Sequence, residues 1–188
     1  MEKENVKEFD FLPITFTKEN LKVIEEAYRL HKDQQKKIFD LACGINDIMD
    51  YVEYKIKDNS AVVLAVIDKS NGNVASVITF DELKWFKNDI ARCNVHIVVC
   101  RRYWGRTSRD IIFQAYDWID QNMKHVHRME ARVPANNFGV IKLLKDVGFK
   151  VEGTARKCLL FNDKNNTPKY YDELLFGRIK EWAKIQVQ

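Results

Sequence analysis

Four arginines, Arg101, Arg102, Arg106 and Arg109, stand around the glycine of a short turn, Gly105, with no acidic residue between them. The chain carries a net charge of +4, so these four account for the whole excess and the remaining residues sum to zero. An apolar run precedes the turn and helical periodicity follows it, an order that sets unpaired backbone N–H groups beside the positive charge. Such a turn suits a phosphate or pyrophosphate. The stretch Arg101-Arg102-Tyr103-Trp104-Gly105-Arg106 also interleaves cations with aromatics, as single-strand nucleic-acid surfaces do. No extended basic face accompanies it, so a compact phosphate is the more economical ligand.

Other reactive residue types narrow the chemistry. His125 and His127 lie two apart before a strand but lack any supporting Cys or carboxylate pattern, and no metal is expected. Cys43, Cys93, Cys100 and Cys158 form no C-x-x-C pair, so neither a zinc site nor a disulfide scaffold is suggested and buried reduced thiols are expected. Cys100 follows an apolar run and reads as inert core more readily than as an acylated nucleophile. Tyr170 and Tyr171 can donate a proton, although tyrosines in a strand most often pack.

These groups need a scaffold, and 188 residues with 46% hydrophobic and 31% charged composition supply one soluble domain with a real core. The N-terminal residues lack the apolar centre of a signal peptide, and no apolar run approaches the roughly 20 residues of a membrane helix. A cytoplasmic protein without membrane contact is expected.

Leu12 to Phe16 reads as a strand, and Thr17 as the N-cap of a helix carrying Leu21, Ile24, Ala27 and Leu30. A second helical stretch, Gln34 to Tyr54, repeats apolar residues every three or four positions. Ala61 to Ile67 fits a central strand, Asn71-Gly72 a hairpin turn, Val74 to Phe80 its partner, and Ala91 to Cys100 the next strand. After the arginine turn, a helix from about Ser108 to Asn122 and a strand from Arg128 to Val133 complete a βαβ unit, which implies parallel strands. Asn137 to Val147 reads as a helix with Gly148 at its C′ position. Arg156 to Phe161 and Tyr170 to Ile179 flank a polar turn and read as a terminal hairpin.

The order of these elements, with His127-Arg-Met-Glu-Ala-Arg-Val133, Asn137 and Gly148-Phe-Lys-Val-Glu-Gly-Thr-Ala-Arg156, resembles the GNAT superfamily of acyl-CoA N-acyltransferases. It is most similar to the branch that acetylates ribosomal-protein N-termini. The likeness covers about half the chain. It implies a single-domain α/β fold over 1–188, a mixed central β-sheet with splayed parallel strands flanked by helices. It also implies a cofactor core at 91–153 and an acceptor-side region at 1–60. By the same resemblance, acetyl-CoA is the cosubstrate, its pantetheine on the backbone of Ile97, Val98 and Val99. Its pyrophosphate rests on the N–H groups of Gly105, Arg106, Thr107, Ser108 and Arg109; Trp104 also belongs to the cofactor site, and Asn137 bonds a backbone group near the cofactor, caps its own helix, or does both.

The chain departs from the family pattern at two places. The loop pattern is Arg or Gln, two residues, Gly, one residue, then Gly or Ala; the gapless register puts Trp104, Thr107 and Arg109 there, and a shift by two puts Arg102, Gly105 and Thr107. Many relatives carry a tyrosine seven residues after the asparagine to protonate the departing thiolate, and here that residue is Leu144. Attack on a thioester needs a neutral amine, so a base is the more useful group: His96 is the first candidate and Glu82 the second. The implied activity is acetyl transfer to a primary amine, the acceptor being a protein N-terminus, a lysine or a small amine. The alternatives are a GNAT-fold binding or assembly module without transfer, and a member that binds or modifies nucleic acid through the arginine turn.

Overall fold

The computed structural model describes residues 8–15, 17–35, 50, 52, 61–86, 89–123, 126–162 and 167–179. Seven strands form one sheet in the order β1-β2-β3-β4-β5-β7-β6. They are β1 (Phe9–Pro13), β2 (Val62–Asp68), β3 (Asn73–Phe86), β4 (Asp89–Val99), β5 (Arg128–Pro134), β6 (Lys150–Asn162) and β7 (Pro168–Ile179). Among the described residues the α-helices beside the sheet are α1 (Leu21–Gln35), α2 (Arg106–Asn122) and α3 (Phe138–Asp146). The sheet is mixed: β4 and β5 are parallel and every other neighbouring pair is antiparallel. The βαβ unit expected across the arginine turn is therefore β4-α2-β5.

The core divides by sheet face. On one face Ile111, Ile112, Ala115 and Ile119 of α2 pack against Leu64, Ile78, Val95, Met129 and Phe176. On the other, Ile24 and Ala27 of α1 pack against Val63, Ala65, Val74 and Val77, with Val52. The unbroken apolar run of β2 follows from this, because both its faces are covered. Of the expected helix from Gln34 to Tyr54, Gln34 and Gln35 close α1 instead, and the rest lies outside the described residues apart from Asp50 and Val52.

Several boundaries differ from the sequence reading for identifiable reasons. The first strand is Phe9–Pro13 instead of Leu12 to Phe16; it is an edge strand, where a proline at the end costs no ladder bond. Thr17 starts a 3-10 turn, Lys18–Asn20, without a side-chain cap bond, so α1 begins later than expected. β3 runs on to Phe86 because a bulge between Asp81 and Lys84, with Glu82 at φ 49°, absorbs the polar pair that looked like a strand end. β6 starts at Lys150, six residues before the expected Arg156, and carries its own bulge at Lys157.

The end of α3 follows its local chemistry. Gly148 has φ 91°, its N–H donates to the Lys145 carbonyl, and the Phe149 N–H donates to the Leu144 carbonyl, the paired bonds of a Schellman motif. Cys93 is buried and Cys100 half-buried, but Cys158 is exposed on the edge strand, contrary to the expectation of burial; Cys43 lies outside the described residues. Among the described residues, no helix is long and apolar enough to cross a membrane.

Candidate functional site

The parallel pairing of β4 with β5 covers only Cys93↔Met129 and Asn94↔Glu130. Beyond these pairs β4 continues to Val99 and β5 to Pro134 without joining, while β3 still pairs β4 as far as Ser76↔Val99. A cleft therefore opens between two strands that each lead into a helix: β4 through the arginine turn into α2, and β5 through Asn137 into α3.

Ladder phase decides which backbone groups line this cleft. The Cys100 N–H donates to the Ala75 carbonyl, and antiparallel bonding alternates from there, so Val98 and His96 direct their peptide groups to β3. Val95, Ile97 and Val99 direct theirs to the cleft. Of the residues singled out in the sequence, Ile97 and Val99 thus line the cleft together with Val95, whereas the Val98 amide is committed to the β3 ladder. The Val99 carbonyl already accepts the Trp104 indole N–H at 3.0 Å.

At the outer end of the cleft Gly105 is the N-cap of α2, with φ 89° and ψ −134°, a conformation that favours glycine. A helix starting at Arg106 leaves the N–H groups of Gly105, Arg106, Thr107 and Ser108 without intrahelical partners; that of Arg109 closes the first helical bond. The Ser108 hydroxyl donates back to the Gly105 carbonyl at 2.7 Å, which fixes the first turn. The arginines are spread around this point. Arg101 lies over Trp104, Arg102 over Tyr103, and Arg109 over Phe113, with Arg109 Nε also 3.8 Å from Asp146 of α3. All four arginines are exposed.

Tyr103 is the buried residue of this turn, and its hydroxyl donates to Asp68 at 2.7 Å. Burial, and then the Asp68 bond, push the phenol pKa up. Asp68 is fully buried and also accepts from the Ser70 N–H and hydroxyl and from the Asn71 amide. The β2–β3 turn is thereby joined to the arginine turn, a link between residues 35 apart in the chain that no local signal reveals.

The candidate bases lie on the sheet face away from α2. Cys93 and Val95 point into the α2 core, so Asn94 and His96 point the other way. His96 Nε2 is 3.2 Å from Asp81 Oδ1, and 44% of the His96 side chain is exposed. Glu82 is exposed in the β3 bulge, but the carboxylate beside His96 is that of its neighbour Asp81. The sequence reading missed Asp81, although pairing β3 with β4 places it one step diagonally from His96.

Asn137 caps its own helix, accepting from the Val140 N–H at 3.4 Å. Leu144 is buried in the core between α3 and the sheet. Tyr170 and Tyr171 stand on the β6–β7 ribbon beyond its last pair with β5, Pro134↔Glu173. Tyr116 of α2 is buried with no hydrogen-bond partner for its hydroxyl among the described residues, and burial pushes its pKa up. His125 lies outside the described residues, and among those described no three His, Cys, Asp or Glu side chains gather as a metal site does.

No protein-family model matches the chain, and no curated protein sequence matches it. Solved structures do. An acetyltransferase of the GNAT family from Streptococcus pneumoniae matches with a TM-score of 0.68 at 16% identity, over 92% of this chain and 100% of that one. The ribosomal-protein-S5-alanine acetyltransferase from Vibrio fischeri gives 0.64 at 20% identity, over 92% and 93%. A spermidine N-acetyltransferase from Vibrio cholerae, in complex with CoA and spermine, gives 0.68 at 15% identity, over 93% and 98%. At these identities the likeness is one of fold: the chain has the GNAT architecture, a mixed sheet flanked by helices.

Proposed function

We propose that the chain transfers the acetyl group of acetyl-CoA to a primary amine by direct attack. The observation that carries this reading is the cleft between β4 and β5, with its unpaired backbone edge and the α2 N-terminus at its mouth. Pantetheine amides would bond Val95, Ile97 and Val99 as an added strand does. The pyrophosphate would meet the N–H groups of Gly105 to Ser108, the positive end of α2 and the exposed arginines.

The amine enters from the His96 face. Its nitrogen attacks the thioester carbonyl carbon, the C–S bond breaks, and CoA leaves as thiolate. His96 takes the proton that the amine nitrogen loses, with the Asp81 carboxylate 3.2 Å from its Nε2. The N–H of Ile97 or Val99 steadies the developing oxyanion. With Leu144 buried there is no acid at the family's usual position; a thiol of pKa near about 8.5 is a serviceable leaving group without one. The resemblance of its motifs favours the branch acting on ribosomal-protein N-termini, with residues 1–60 shaping the acceptor side.

Leu144 also favours a second reading, a GNAT-fold binding module that holds acetyl-CoA without turnover. An amine screen that follows released thiol separates the two: amine-dependent release supports transfer, and acetyl-CoA binding without release for any amine supports the module.

A further inference from the structure

The register that opens the cleft also sets a cation across it from His96. Two residues beyond Asn94↔Glu130, His96 on β4 and Arg132 on β5 reach the same level. Ala131 and Val133 are buried on the α2 side, so Arg132, like His96, faces the side from which an acceptor enters.

Arg132 is a lightly committed cation there. Glu130 accepts from Arg128 Nε at 2.7 Å and lies 3.7 Å from Arg92; Glu152 is held by Arg128; Asp81 is beside His96. Arg132 has 60% of its side chain exposed, and its only ion pair among the described residues is a 3.7 Å approach of Nη1 to the largely buried Glu173. Most of its five fork-like N–H donors are left for a ligand, and that fork matches carboxylate and phosphate. A polycation would meet Arg132 and Arg92 as like charges.

We infer that Arg132 selects acceptors that carry an anionic group, a carboxylate or phosphate, a few bonds from the amine. The inference rests on the acetyl-transfer reading and adds the acceptor class to it. Two sources present this chemistry: a free amino acid or aminophosphate, and a peptide whose N-terminal amine lies near an acidic residue.

The test compares matched amines by thiol release: γ-aminobutyrate with butylamine, phosphoethanolamine with ethanolamine, alanyl-aspartate α-amide with alanyl-asparagine α-amide, and spermidine as a polycation. Wild type should favour the anionic member of at least one pair by about tenfold or more in kcat/KM. The pair that shows it identifies the source. Arg132→Gln should remove that preference by raising KM for the anionic member while leaving kcat and the neutral amine unchanged, and Arg132→Lys should restore part of it. A structural role would move both amines together. Preference for neutral amines or spermidine, a preference that survives Arg132→Gln, or acetyl-CoA binding without acetylation of any anionic probe overturns the inference. Failure to bind acetyl-CoA, measured by calorimetry on the same preparation, overturns the transfer reading and this one with it.

Discussion

Tyr103, in the turn that ends β4, donates its hydroxyl across 2.7 Å to Asp68, the last residue of β2. Asp68 lies under the arginine turn with its other donors drawn from Ser70 and Asn71, so the carboxylate is buried but well bonded. A buried charge is tolerated only on such terms. The bond ties the proposed phosphate seat to the β2–β3 hairpin instead of leaving it to loop entropy.

Tyr103→Phe keeps the ring and removes this donor. The expected loss is about 1.5–3 kcal/mol in denaturant unfolding, the usual range for a hydrogen bond to a charged group. Acetyl-CoA affinity should fall with it. Unchanged stability would mean that Ser70 and Asn71 suffice for Asp68.

Tyr116 presents the opposite case, a buried hydroxyl without a partner among the described residues, its ring edge-on to Phe149. Tyr116→Phe removes a desolvated polar atom and no hydrogen bond, so stability should rise, by on the order of 1 kcal/mol. A loss in thermal or denaturant unfolding would reveal a partner for the hydroxyl.

The Arg128–Glu152 pair makes stability depend on pH. Gly177 gives it room, since a Cβ there would collide with the Glu152 carboxylate and lie 2.7 Å from Arg128 Nη2. The Arg128 hydrogen bond holds the Glu152 carboxyl below its ordinary 4.5. A folded value below the unfolded one stabilises the fold above 4.5, and that contribution disappears as pH falls through the folded value. Glu152→Gln should therefore be less stable than wild type at neutral pH, by under about 1 kcal/mol for so exposed a pair. The difference should vanish in acid. A constant gap across the titration would show that the carboxylate charge is not its source.

Loss of the proposed base should be selective. His96→Ala should lower kcat by about 10²–10⁴-fold, the usual worth of a positioned base, with acetyl-CoA affinity unchanged. Asp81→Asn, which keeps the size but not the charge beside His96, should lower kcat less. If both variants keep wild-type turnover and pH profile, the proton leaves by another route.

Legibility in the sequence followed the range of the interactions. The β4-α2-β5 unit, the Asn137 cap and the Gly148 terminus depend on periodicity and on residues within one turn of each other, and were readable. The continuation of β3 through Glu82 was not, because a bulge turns a polar pair that resembles a strand end into part of a strand. The phase that points Ile97 into the cleft and Val98 into the ladder depends on where Cys100 meets Ala75. Asp68–Tyr103, Asp81–His96 and Arg132 opposite His96 are products of strand register, to which single residues carry no clue. His96 was identifiable as a candidate from its strand and chemistry; its carboxylate partner required the hairpin.

The most direct measurement is calorimetric titration of acetyl-CoA into the full chain and into Arg106→Glu. Binding by the wild type, weakened about tenfold or more by reversing this exposed charge at the start of α2, is the expected result. No detectable heat at millimolar ligand, or equal affinity in both proteins, would contradict a pyrophosphate seat at the α2 N-terminus and the transfer reaction built on it.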